Sequence, residues 1–258
     1  MISKNKIKYI HSLELKKNRD SENVFVAEGP KVVADIARCY IDDVLILIAI
    51  QEWFDANPFL TAECTKRNCE LIVVSQEELR KVSFLCHPQQ VMAVFSKHQS
   101  DIMPDVLQTK LSLVLDGIQD PGNLGTIIRI ADWFGIENVI CSKDTVDVYN
   151  PKVVQATMGS IARVNVVYTD LKQLIEAMPA DFHVYGTLLE GKNIYTQELS
   201  KNGFIIMGNE GKGLSAPIRE TITNGLRIPN YPPERETADS LNVAIATAIV
   251  CAEFRRNI

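Results

Sequence analysis

Short apolar runs alternate with stretches of helical spacing along most of the chain. Residues 2–15 carry apolar side chains at helical spacing, and 24–27 form a brief apolar run that ends at Glu28-Gly29. Pro30 then stands where a helix best tolerates proline, ahead of Val32, Val33, Ile36 and Ala37 on one face. Residues 44–50, 71–74 and 91–95 read as buried strands, and Ser75 with Glu78 makes a capping-box start for a helix between the last two. This alternation predicts a small α/β layer.

Residues 96–110 are polar, contain Pro104 and lack sustained periodicity, which predicts a domain boundary. The division expected is therefore residues 1–97, a linker at 98–109, and a second domain at 110–258. In the second domain, 111–115 reads as a strand, followed by a glycine-rich loop and a helix over 123–134 that stops at Gly135. Further short apolar runs fall at 139–141, 164–168, 184–187, 204–207 and 226–228, with helices at 151–162 and 171–178. The pattern is that of a mostly parallel sheet covered on both faces. The last helix, 241–254, is apolar on nearly every side. Such a helix must be buried all round, either inside the domain or against a second subunit.

The chain has 258 residues, 46% hydrophobic and 23% charged, the proportions of an ordinary globular protein. No apolar stretch is long enough to span a bilayer, and no signal peptide is expected at the start. The six cysteines are scattered singly, without Cys-x-x-Cys or zinc spacing, so buried thiols in a reducing cytoplasm are expected and no metal. A net charge of −5 argues against a protein that grips nucleic acid with its whole surface. The first twenty residues are locally basic, however, with Lys4, Lys6, Lys8, Lys16, Lys17 and Arg19 against Glu14 and Asp20. On charge alone that cluster reads as a solvated helix face.

Three glycine- and asparagine-rich segments interrupt the apolar runs of the second domain. They are Asp116-Gly117-Ile118-Gln119-Asp120-Pro121-Gly122-Asn123-Leu124-Gly125 with Arg129 beyond, Gly208-Asn209-Glu210-Gly211-Lys212-Gly213, and Ser240-Leu241-Asn242. Glycine there lets backbone approach a ligand, and short polar side chains supply hydrogen bonds. The first segment invites comparison with a dinucleotide-binding turn, hence an NAD-linked oxidoreductase. Asp120 occupies the place of that turn's first glycine, where a carboxylate would face a pyrophosphate, and the loop is long. The second segment holds Gly-Lys without phosphate-loop spacing.

Taken in order, the three segments resemble the signature motifs of the SpoU/TrmH branch of SPOUT RNA methyltransferases. Asn123, Gly125 and Arg129 match the first motif; Gly208, Glu210 and Gly213 the second; Ile228-Pro229 with Ser240-Leu241-Asn242 the third. The stretch from Asn150-Pro151-Lys152 to Met158-Gly159-Ser160 resembles the segment between motifs one and two. Residues 1–97 resemble, more loosely, the substrate-binding domain that many of these enzymes carry, through Leu15-Lys16-Lys17-Asn18-Arg19 and Phe25-Val26-Ala27-Glu28-Gly29. Two departures stand out: a long, glycine-free loop at 230–239, and Gln155 where the family commonly has arginine.

The resemblance implies a SPOUT α/β knot, with a C-terminal trefoil knot, preceded by a small α/β substrate-binding domain. It implies bound S-adenosylmethionine, a homodimer with composite sites, and methyl transfer to a ribose 2′-hydroxyl of ribosomal or transfer RNA in the cytoplasm. Arg129 would orient a phosphate and the hydroxyl, since a guanidinium stays protonated at neutral pH. Asn123 would hold Arg129 or the ribose, or cap the helix; Glu210 would fix the loop around it; Ser240 and Asn242 would line the same pocket. Thr187, Leu188, Gly208, Asn209, Gly213, Ile228, Pro229 and Leu241 would hold the cofactor. Lys16, Lys17 and Arg19 become RNA contacts. A catalytically silent RNA-binding protein of the same fold is the other reading.

Overall fold

The computed structural model describes residues 2–98, 103–233 and 235–256. Contacts divide the chain into two units, Met1–Gln99 with Asp147–Arg163, and Ser100–Val146 with Val164–Ile258. The sequence division places residues 147–163 in the second domain, whereas here they pack with the first unit. The reason is apolar: Val154 and Ala162 are buried in one core with Phe25, Val33, Ile36 and Leu47.

The first unit begins with α1 (Lys4–Ser12), inside the stretch of helical spacing at 2–15, and a second helix, α2 (Lys16–Glu22), follows beyond it. The chain breaks at Leu13, which is buried, and Leu15, which takes extended backbone before α2. Then follow β1 (Val24–Glu28), α3 (Pro30–Cys39), β2 (Val44–Ala49), α4 (Gln51–Ala56), α5 (Pro58–Lys66), β3 (Glu70–Val73), α6 (Gln76–Val82) and β4 (Val91–Ser96). Pro30 occupies the first turn of α3, and the Ser75–Glu78 capping box opens α6, as the sequence predicts. The strands form one sheet in the order β1-β4-β2-β3. Alternation along β4 sends Val91, Ala93 and Phe95 to one core and Met92 and Val94 to the other, so both sheet faces are covered.

In the second unit α7 (Pro104–Thr109) starts within the expected linker, with Pro104 in its first turn. Linker residues 99–102 lie outside the described residues. Next come β5 (Leu111–Asp116), α8 (Pro121–Trp133) and β6 (Asn138–Ser142). The chain then passes through α9 (Pro151–Thr157) of the first unit. It returns as β7 (Asn165–Thr169), α10 (Leu171–Glu176), β8 (Val184–Asn193), β9 (Gly203–Gly208), α11 (Ala216–Arg219), β10 (Asn224–Arg227) and α12 (Val243–Phe254). The six strands lie in the order β10-β8-β9-β5-β6-β7. Every pairing is parallel, as continuous apolar strands buried on both faces require. The strand order reverses between β5 and β9. In open parallel sheets that point leaves a crevice at the carboxyl ends of the strands, where ligands bind.

Candidate active site

Two of the three polar segments meet at this reversal. Asp116 ends β5 in register with Gly208 at the end of β9, and Asp116 Oδ2 accepts a hydrogen bond from the Ser215 amide at 2.7 Å. Gly208 has no room for a side chain: a Cβ would fall 2.4 Å from the Gly213 carbonyl carbon. Asn209 and Gly213 exchange two backbone hydrogen bonds of 2.9 Å, closing the loop between them. Asn209 Oδ1 accepts from the amides of Gly211 and Lys212, while its Nδ2 donates to the Gly117 carbonyl at 2.6 Å. Asn209 therefore both shapes the second loop and ties it to the first.

Glu210 extends the connection. Its carboxylate accepts from Asn123 Nδ2 at 3.0 Å and from the amides of Asp120 and Gln119 at 3.3 and 3.4 Å. Burial opposes its charge, but these hydrogen bonds outweigh that and hold its carboxyl below the ordinary value. Asn242 brings in the third segment. Its Oδ1 caps α12 by accepting from the amides of Ala244 and Ile245, and its Nδ2 donates to Asn123 Oδ1 at 2.9 Å.

Asn123 does not cap α8. The cap is Asp120, whose carboxylate accepts from the Asn123 amide at 2.8 Å, and α8 starts at Pro121 rather than at 123. This leaves the Asn123 side chain free to join Glu210 and Asn242. Nor does Asn123 hold Arg129. Six residues along a helix rotate Arg129 about 120° away. It is exposed and makes no ion pair or hydrogen bond among the described residues.

Most of the positions expected to hold the cofactor lie on, or just beyond the ends of, three adjacent strands. Thr187 and Leu188 fall on β8, Gly208 ends β9, and Ile228-Pro229 follow β10. Pairing between β8 and β10 jumps from Gly186 to Lys192, so 187–191 bow out of the ladder. Thr187 directs its hydroxyl to the Ile206 carbonyl, and Leu188, Ile228 and Pro229 are half-buried. Leu241 is half exposed beside the α12 cap, and neither it nor Ser240 makes a hydrogen bond among the described residues. An uncharged surface with close backbone approach at Gly208 suits an adenosyl group better than a pyrophosphate. Among the described residues, no group of three His, Cys, Asp or Glu side chains assembles that would hold a metal.

The basic cluster divides. Lys16 and Lys17 are exposed, and Lys16 pairs with Asp20 at 2.6 Å. Arg19 is only 1% exposed. Its guanidinium donates to the carbonyls of Leu13 and Glu14 and to Asp147 Oδ2, at 2.9, 2.7 and 2.6 Å. The assignment of Arg19 to RNA is thus corrected: it is buried, and both terminal guanidinium nitrogens are committed where α1 ends and residues 147–163 begin. Asp116, Gln119 and Asp120 also belong to the site, although they were not singled out for roles in the sequence. Only Asp120 carried a local signal, as an acid directly before a proline at a helix start.

Residues 110–252 match the SpoU rRNA Methylase family, and residues 4–93 match the MRM3-like substrate binding domain. A 23S rRNA (guanosine-2′-O)-methyltransferase of Bacillus subtilis is 29% identical over 97% of this chain and 96% of its own. An uncharacterized tRNA/rRNA methyltransferase of Synechocystis is 32% identical over 79% and 74%. Among solved structures, a TrmH-family chain from Porphyromonas gingivalis superposes with a TM-score of 0.86 at 35% identity, covering 100% of both chains. An S-adenosylmethionine-bound rRNA methyltransferase from Sinorhizobium meliloti gives 0.85 at 29% identity, covering 100% of this chain and 97% of its own. Among the described residues no helix is long and apolar enough to cross a membrane. With its three motifs joined through Asn123 and matches along nearly its whole length, the chain belongs to the SpoU rRNA methylase family and is an S-adenosylmethionine-dependent RNA methyltransferase.

Proposed function

We propose that this enzyme methylates a ribose 2′-hydroxyl of ribosomal RNA in the cytoplasm. The observation that carries the reading is the link from Glu210 through Asn123 to Asn242, which joins all three motif segments in one place. The named activity of the Bacillus subtilis relative, which matches over nearly full length, favours ribosomal over transfer RNA. S-adenosylmethionine supplies an electrophilic methyl group when bound. Everything else required of the chain is positioning and control of the hydroxyl proton.

Gly208, Asn209, Gly213, Ile228, Pro229, Leu241, Thr187 and Leu188 hold the cofactor in this reading. Arg129 binds an RNA phosphate and polarises the hydroxyl. It faces away from the Asn123 link of its own chain, which fits a homodimer in which Arg129 serves the partner's site. The outward face of α12 supplies the apolar surface for that dimer: Leu241 and Ile245 are 52% and 54% exposed, and Ala248, Ile249 and Ala252 follow along the same side. Lys16 and Lys17 bind RNA phosphates.

The test is incubation with methyl-labelled cofactor and separated ribosomal and transfer RNA. Label on ribose of ribosomal RNA is expected. Label confined to bases would overturn the chemistry, and label on transfer RNA alone would overturn the substrate.

A further inference from the structure

The chain has two tryptophans, and they are placed oppositely. Trp53 is 2% exposed in the core of the first unit, whereas Trp133 is 84% exposed at the end of α8. Single exposed apolar side chains are common on proteins. What distinguishes Trp133 is its setting. It lies four residues after Arg129, so the two side chains share one helix face, about 6 Å apart along the axis. Helical side chains lean toward the N-terminus, which tips the indole toward that guanidinium. Arg255 Nε donates to the carbonyl of Phe134, the residue directly after Trp133, at 3.1 Å, which ties the end of α12 to the end of α8.

Arg129 shares the helix face of the indole, while Asp132, directly before Trp133, projects about 100° round the helix, and two acids further along the chain are paired. Glu137 is held by Lys110, and Glu253 by Arg256. Arg129 has no carboxylate partner among the described residues. A bare aromatic face beside a guanidinium matches single-stranded nucleic acid: the π-face stacks on a base while the cation meets a neighbouring phosphate. The same surface is poorly suited to a basic or neutral partner.

We infer that Trp133 is a stacking platform for an unpaired base of the RNA substrate, one helical turn from Arg129. The inference rests on the methyltransferase reading and deepens it. Arg129 acts on the ribose and phosphate, and Trp133 fixes the base beside them, so it is a positioning residue that sets RNA affinity and register. A platform of this kind accepts any base, so it contributes binding without choosing the sequence.

The test uses the full chain and two variants, Trp133→Ala and Trp133→Phe. Removing one base–aromatic stack is expected to raise the KM for RNA about tenfold, with kcat changed less than about twofold. Trp133→Phe recovers most of the loss, because a ring remains. In the wild type, a short single-stranded RNA is expected to protect the fluorescence of the exposed tryptophan from acrylamide, which buried Trp53 does not report. That protection is read without turnover, so it stands or falls separately from the methylation assay. An RNA KM unchanged in Trp133→Ala would overturn the inference. So would a Trp133→Ala protein that sediments as a monomer where the wild type is a dimer, since a second copy would then be the occupant of this face. Thermal stabilisation by S-adenosylmethionine, equal in both variants and the wild type, shows that each is folded.

Discussion

Asn242 Nδ2 donates to Asn123 Oδ1 at 2.9 Å, joining residues 119 positions apart. The Asn123 amide group donates in turn to Glu210, so one side chain is held from both ends. Each asparagine uses its full amide: Asn242 caps α12 with its oxygen, and Asn123 lies in the first turn of α8 with its side chain turned outward. The start of the last helix is thereby locked to the start of α8.

This arrangement predicts non-additive mutations. Asn123→Ala and Glu210→Ala are each expected to slow methylation about tenfold to a hundredfold, and the double variant no more than the worse single one. Single-turnover rates at saturating cofactor measure this. Full additivity of the two effects would show that they act independently.

Glu210 also predicts a pH effect. Its carboxyl titrates below the ordinary glutamate value in the fold, so the clasp contributes stability above that ordinary value and loses it as pH falls through the lowered folded value. Glu210→Gln keeps the shape and drops the charge. Hydrogen exchange over residues 209–214, corrected for intrinsic rate, should be faster in the variant at pH 7, and the two proteins should converge only in acid, once pH has fallen through the lowered folded value. A difference that persists in acid would place the effect elsewhere.

Arg129→Ala is expected to lose nearly all methylation while S-adenosylmethionine still raises the melting temperature as in the wild type. The reason is placement: Arg129 is on the exposed face of α8, whereas the residues assigned to the cofactor lie on β8, at or just after the ends of β9 and β10, and beside the α12 cap. Loss of cofactor binding in step with activity would refute its assignment to the RNA.

The basic cluster should split in two. Arg19→Ala removes a buried partner of Asp147 and is expected to destabilise the first unit by about 3 kcal/mol. Arg19→Lys should recover little, because one ammonium cannot span the two carbonyls and the carboxylate. Lys16→Ala and Lys17→Ala should leave melting unchanged and each reduce the salt slope of RNA binding by about one. Filter binding across a salt series, beside thermal melts, separates the two behaviours.

Ala248→Arg places a charge on the outward face of α12 and is expected to give a monomer with reduced methylation. Sedimentation of wild type and variant at micromolar concentration decides it. A wild-type monomer would remove the homodimer from the proposal.

By itself the sequence determined the local elements and their order. Short apolar runs set β1 to β4 and the parallel strands of the second unit, helical spacing set the helices between them, and Pro30 and the Ser75–Glu78 pair marked helix starts. The glycines at 117, 208 and 213 marked where backbone must turn or approach closely. Those signals are local, because each depends on backbone geometry or on burial over a few residues. Tertiary structure decided what pairs with what. Nothing near Arg19 in sequence says that its partner is Asp147, 128 residues away, and a basic cluster reads the same whether its arginine is solvated or buried. Asn123 reads as a cap until Asp120 takes that role and frees its side chain for Glu210 and Asn242. Residues 147–163 read as part of the second domain until Val154 and Ala162 are seen in the core of the first. Hydrogen bonds and apolar contacts act over a few ångströms of space, and only the path of the folded chain brings such distant positions within that range.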